Sequence, residues 1–307
     1  MKRTKHKDIN GWLIIDKPQN MGSTDVVNHT RRLFDANKNG HAGTLDPFAT
    51  GVLPIAFGEA TKLIPFVTDG AKEYEFVLKF GAETNTDDIE GQIINTSNKI
   101  PSKEEILNVL PNFLGTIQQT PPAYSAIKIN GQRAYKLARE GKEVNIPTRN
   151  VTIDYLDFLE QLNESEFKFR VGCSKGTYIR TLGKDIALKL GSLGYLTALR
   201  RTKCAIFSLQ DTILLENLKN MVYEDERLMS LLPIETSLRD IAVIAVSEED
   251  AVKLKHGQGL SPKKYQNFLP DTLLAAMYNN CLIALVRVEE RKLSPIRVFN
   301  LENKKEK

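Results

Sequence analysis

The sequence predicts an α+β fold, with a sheet-based main domain followed by a small β-rich unit. Three observations carry this. Strand-like and helix-like patterns are mixed without the regular strand–helix–strand rhythm of a doubly wound sheet. Some strands alternate cleanly: Tyr74, Phe76, Leu78 and Phe80 share one side, Glu73, Glu75 and Lys79 the other. Near residues 238–241 the pattern breaks and restarts, so the 307 residues divide into expected domains 1–240 and 241–307.

The elements follow in order. Residues 10–16 read as a buried strand, and residues 17–22 as a loop. Ser23 is placed to cap a helix, with Asp25 in its first turn facing the helix dipole. Val26, Val27, Thr30, Leu33 and Phe34 fall on one helical face. After a Gly/Pro-rich loop at 40–54 comes the alternating strand 72–80. Ser102 opens a short helix that Pro111 must end or kink. From 119 to 150 the chain is polar and basic, with one short helix at about 132–140, and reads as an insertion projecting from the sheet. Strands at 151–160 and 166–173 precede a helix with apolar positions Ile179, Leu182, Ile186 and Leu190. The C-terminal unit has a short apolar run, a helix capped at Ser247 and stopped by Gly257, and strands at 281–288 and 294–300.

Composition narrows the function. Hydrophobic content of 41% and charged content of 26% describe a globular chain with a full core. No window approaches the roughly 18 apolar residues of a membrane span. The basic start lacks the apolar region of a secretion signal. Three scattered cysteines without Cys-x-x-Cys argue for a reducing compartment, and four histidines without His-Glu-x-x-His against a catalytic metal. The net charge of +4 is small, but residues 168–203 hold nine Lys or Arg against one acid, Asp185. Such a run is either a solvated face or a polyanion surface.

Two motifs bear on chemistry. Residues 40–54 (GHAGTLDPFATGVLP) set one carboxylate, Asp46, in a stretch too rich in Gly and Pro for a helix or a long strand. Loops held in one shape often carry function, although an isolated Asp-Pro pair more often marks a plain turn. Residues 173–181 (CSKGTYIRT) place Thr177 as an N-cap and Arg180 in the first helical turn. A cation there opposes the helix dipole unless an anion such as Asp46 compensates. An exposed arginine reaching solvent or phosphate is the ordinary alternative. No phosphate-binding glycine loop and no Ser/His/Asp order is present.

Taken in order, these motifs resemble those of the TruB-type tRNA pseudouridine synthases in their bacterial form. The resemblance covers residues 9–204. It rests on residues 11–18, 41–58, Lys72-Glu73-Tyr74, residues 81–91 with Thr84, Thr86, Asp87 and Asp88, residues 119–128 with Gly131, Tyr135, Arg139 and Gly141, residues 173–181, and Leu199-Arg200-Arg201-Thr202. It implies a mixed, mostly antiparallel sheet, an insertion at about 119–150 that clamps tRNA, and a PUA-like RNA-binding unit around His256-Gly257-Gln258-Gly259.

The resemblance also implies roles. Asp46 is the essential aspartate, and Arg180 faces it. Tyr74, His41, Tyr178 and Leu199 handle the extruded uridine, and Lys17, Lys128 and Arg139 are tRNA contacts. On the residues alone, Tyr74 reads first as a core residue of its strand, and Leu199 as core, His41 as a turn residue and Tyr178 as a helix-start aromatic; the resemblance reverses these readings. The implied reaction converts uridine-55 in the T-loop of tRNA to pseudouridine, without cofactor or metal. The expected partner is the tRNA T-arm, for a cytoplasmic monomer with no obligatory protein partner. The alternatives are a non-catalytic RNA-binding or folding protein, and a synthase for another RNA.

Overall fold

The computed structural model describes residues 6–125, 127–129, 131–140, 145–261, 265, 268–289 and 292–301. The strands are β1 (Gly11–Lys17), β2 (Asn39–His41), β3 (Thr50–Phe57), β4 (Lys72–Phe80), β5 (Ala82–Thr84), β6 (Ile93–Thr96), β7 (Gly115–Gln119), β8 (Lys128–Ile129), β9 (Gln132–Arg133), β10 (Arg149–Gln161), β11 (Glu166–Cys173), β12 (Gly194–Cys204), β13 (Phe207–Ser208), β14 (Ile213–Leu214), β15 (Ala242–Ala245), β16 (Leu273–Tyr278), β17 (Cys281–Val288) and β18 (Leu293–Val298). The α-helices are α1 (Ser23–Leu33), α2 (Ile64–Asp69), α3 (Lys103–Val109), α4 (Ala134–Arg139), α5 (Ile179–Lys189), α6 (Leu215–Asn220), α7 (Glu224–Met229) and α8 (Glu248–Lys255).

Ten strands form one sheet, running β14-β1-β3-β12-β4-β11-β10-β7, with β2 also on β3 and β13 also on β12. Within this sheet, among the described residues, only β14 on β1 and β12 on β3 pair in parallel. The fold is thus the expected α+β, with a mixed, mostly antiparallel sheet. Both faces of its centre are covered. Leu13 and Ile15 of β1 face a core completed by α1, α3, α5 and α6, while Trp12 and Ile14 face a second core. That double burial explains why residues 11–15 read as an unbroken apolar run instead of alternating.

The second core joins the two parts of the chain. Ala275, Leu282, Leu285 and Phe299 of the C-terminal part share it with Trp12, Val52 and Phe207. The C-terminal sheet has four strands, ordered β15-β16-β17-β18. A third cluster, which includes Leu254 of α8, covers its other face.

Several elements depart from the sequence expectation. The 40–54 stretch is only partly loop, because β3 is an eight-residue buried strand containing Pro54. Proline lacks an N–H, but its carbonyl still accepts from Ala42 N at 2.9 Å. β12, at the centre of the sheet, escaped detection because register shifts at Leu196/Ala198 and Arg201/Lys203 break its two-residue period. β16 was also not anticipated. The helix caps are Gly22 and Tyr178, one residue from the expected Ser23 and Thr177. Ser102 does cap α3, accepting from Glu105 N.

Candidate active site

The site is a loop between β2 and β3 whose backbone is hydrogen-bonded at most residues, Asp46 O included, which accepts from Ala49 N at 3.1 Å. Ala42 N donates to Pro54 O at 2.9 Å, and Cys204 Sγ donates to Ala42 O at 3.5 Å. Ser23 Oγ donates to Leu45 O and accepts from Leu45 N, both at 2.8 Å. Pro47 O accepts from Asn20 N at 2.9 Å and from Lys17 Nζ at 3.1 Å. Arg201 donates from Nη2 to Gly43 O at 3.0 Å and from Nε to Val52 O at 2.8 Å. The loop is therefore held through its backbone, and the Asp46 side chain keeps 34% of its surface exposed.

Asp46 Oδ2 lies 3.0 Å from Arg180 Nε. The approach is an ion pair without hydrogen-bond alignment, since Arg180 Nε has no hydrogen-bond partner. Arg180 is 3% exposed and sits in the first turn of α5. Its other nitrogens are committed: Nη1 to Thr86 O and Nη2 to Tyr124 O, both at 2.9 Å, with Asp88 Oδ2 3.4 Å from Nη1. Two carboxylates and two carbonyls thus offset its opposition to the helix dipole. Burial pushes the Asp88 carboxyl above its ordinary value, against the Thr86 hydroxyl, Arg180 and the Glu90 N–H. Glu90 is raised too, by burial and by Asp88, while the Phe48 N–H that it accepts pulls it down.

Gln119 fixes the start of α5. Fully buried, it donates from Nε2 to Tyr178 O at 3.0 Å and accepts from Tyr178 N at 2.7 Å. The guanidinium of Arg149 lies 4.9 Å from the centre of the Tyr178 ring. Leu199, opposite Phe76 in the sheet, lines a cleft of about 300 Å³ together with Phe48, Thr50 and Gln19. That volume is at the lower end of ligand-sized clefts. His41 ends β2 opposite Ile55, immediately before the loop. Tyr74 is 9% exposed within the core, opposite Arg201 in the sheet and with its hydroxyl beside the Arg201 guanidinium. Burial raises that hydroxyl to a pKa of about 12, against the Arg201 charge.

One expectation needs correction. Lys17 does not face outward as a tRNA contact: it is fully buried, and its ammonium donates to Pro18 O, Met21 O and Pro47 O at 2.9, 2.6 and 3.1 Å. Burial pushes it down to about 8, against the pull of Asp46. The basic run 168–203, left open between a solvated face and a polyanion surface, has most of its charge met within the protein. Eight of its nine cations meet a carboxylate or a carbonyl within the protein, as in Lys168–Glu75, Arg170–Asp157, Lys175–Asp69, Lys184–Asp87, Arg200–Asp16 and Lys203–Glu73. Lys128 and Arg139 fall at the start of β8 and the end of α4, and their side chains lie outside the described residues.

Arg201, Gln119 and Ser23 are the site residues that sequence reasoning missed as such. All three stand inside or beside recognised motifs, but nothing in their spacing distinguishes a buried tether from a surface polar group. Among the described residues, no group of three His, Cys, Asp or Glu could hold a metal, and no helix is long and apolar enough to cross a membrane.

Comparison with known proteins gives the class first. Residues 31–179 match the family described as "TruB family pseudouridylate synthase (N terminal domain)", and residues 180–239 "tRNA pseudouridylate synthase B C-terminal domain". This is a pseudouridylate synthase. The chain is 44% identical to the "tRNA pseudouridine synthase B" of Caulobacter vibrioides, covering 98% of this chain and 99% of the relative. It is also 44% identical to the protein of the same description from Gluconacetobacter diazotrophicus, over 97% and 100%. The chain belongs to the TruB family. The fold is shared with a chain of an "H/ACA RNP bound to a substrate RNA containing 2'-deoxyuridine", at 20% identity, TM-score 0.74, and 98% and 93% coverage.

Proposed function

We propose that Asp46 is the reacting group in the conversion of uridine-55 of tRNA to pseudouridine, with Arg180 holding its charge in place. The observation that carries this reading is the 3.0 Å contact between a half-exposed carboxylate and a buried arginine whose other nitrogens are already committed. The reaction breaks the bond from uracil N1 to the ribose, turns the base and joins C5 to the same carbon. C5 loses a proton and N1 gains one, so the change is an isomerisation. A carboxylate suits it, either trapping the electron-poor sugar covalently or accepting the 2′ proton.

The target uridine must leave its stack to reach Asp46. Tyr74, His41, Tyr178 and Leu199 are the residues assigned to hold it, with Leu199 supported by its place in the cleft beside Phe48. Lys128 and Arg139 on the insertion are assigned to tRNA phosphates. Residues 241–307 are assigned as a PUA-like unit that adds RNA affinity, consistent with a separate sheet beginning at Ala242. The partner is the tRNA T-arm, and the protein acts as a cytoplasmic monomer.

The test is conversion of a T-arm RNA stem-loop by wild type and Asp46→Asn, without added metal or cofactor, read by carbodiimide detection of pseudouridine. Wild type forms product, and Asp46→Asn forms none while still binding the RNA. Turnover by Asp46→Asn would remove the carboxylate from the mechanism. No product from either protein, with RNA bound, would favour a binding role or another RNA target.

A further inference from the structure

We propose that Arg201 is a positioning residue: its guanidinium ties both limbs of the Asp46 loop and the Tyr74 hydroxyl to one rigid group, setting the aspartate and the tyrosine in fixed relation. The inference rests on the reading of Asp46 as the reacting group.

Arg201 lies at the middle of β12, between β3 and β4. Its backbone is opposite Gly51 on one side and Tyr74 on the other. The residue is 1% exposed. One side chain reaches Gly43 O before Asp46, Val52 O after it, and the Tyr74 hydroxyl. Among the described residues, no carboxylate lies within 4.0 Å of its guanidinium nitrogens. A buried cation without a counter-ion is costly, and an apolar residue of similar volume would pack a sheet centre with no such penalty. What the apolar residue lacks is a planar fork of donors able to hold two carbonyls at fixed angles beside the Tyr74 hydroxyl.

The loop glycines fit the same account. Gly43 and Gly51 both have left-handed φ, +99° and +100°. A Cβ on Gly43 would stand 3.3 Å from Arg201 Nη1, and one on Gly51 would stand 2.2 Å from Arg201 O. Both limbs of the loop are therefore drawn against this one residue as closely as glycine allows.

Arg201→Lys keeps the charge and loses the fork. We expect kcat on a T-arm stem-loop to fall about 100-fold, as misplacement of a reacting group by an ångström does, with KM for the RNA unchanged. Tyr74→Phe, which removes only the hydroxyl end of the tie, lowers kcat in the wild-type background and adds nothing in the Arg201→Lys background. That coupling is a readout that mere loss of stability would not produce. A wild-type kcat in Arg201→Lys overturns the proposal, as do losses that multiply independently. Should the lysine variant fail to fold, Arg201→Met, which fills similar space without charge, is read in the same way; failure of both to fold makes Arg201 purely structural and overturns the positioning role. Asp46→Asn in the same assay separates the two readings: its turnover would sink the role of Asp46, whereas an inactive Asp46→Asn beside a full-rate Arg201→Lys sinks only the tie.

Discussion

At the scale of single residues, the site uses buried cations as fasteners. Lys17 is the plainest case, because its ammonium satisfies three carbonyls, one of them on the residue after Asp46. Removing it takes one donor from each of these carbonyls, and Pro47 O is left with Asn20 N alone. Lys17→Met is expected to lose about 1–3 kcal/mol of stability, measured by urea unfolding, and to lower kcat by loosening Pro47. Because Lys17 does not touch solvent, the salt dependence of tRNA binding stays as in wild type. A shallower salt slope in the variant would restore the phosphate-contact reading.

At the scale of elements, the sheet is locked around β4, and Glu73 does much of this. Its carboxylate accepts from Thr202 Oγ1 on β12 at 2.6 Å and from the Tyr155 hydroxyl on β10, and lies 3.8 Å from Lys203 Nζ. Burial alone would raise its pKa; the Thr202 and Tyr155 hydroxyls, with Lys203 and Arg170, outweigh burial and lower it below 4.5. A carboxyl depressed in the folded state contributes stability that is fully present above its unfolded pKa, and lost as pH falls through the lowered folded value. Glu73→Gln should therefore unfold more easily than wild type at neutral pH, with the gap narrowing on acidification below pH 4.5. Urea midpoints across that range check it, and a gap independent of pH would show that the charge is not what matters. The same strands show what a sequence reveals. The alternation of β4 and β11 was legible because both have one buried face, whereas the bulges of β12 shift its alternation twice and hid it.

For the whole molecule, the two sheets share a core. Trp12, Val52 and Phe207 on the catalytic side cluster with Ala275, Leu282, Leu285 and Phe299. Lys62 Nζ donates to Val298 O at 2.8 Å, and Asn300 N donates to Glu59 at 2.6 Å. A chain ended after residue 240 would open that cluster to water. It should melt at lower temperature, and emission from Trp12, the single tryptophan, should shift to the red. An unshifted spectrum and an unchanged melt would mean that the two parts are energetically independent.

The sequence by itself determined the class of fold, the order of its motifs and hence the family, and the two residues that meet at the centre, Asp46 and Arg180. Fold class and motif order are properties of residue type and spacing along the chain, and the pairing is what the family resemblance implied. Tertiary structure alone decided which basic residues face inward. Lys17 and Arg201 are written no differently from Lys168 or Arg170, yet two are buried fasteners and two are surface partners of carboxylates. Their fate depends on which strands and loops close over them, and that is set by packing between segments up to 158 residues apart, as for Arg201 and Gly43.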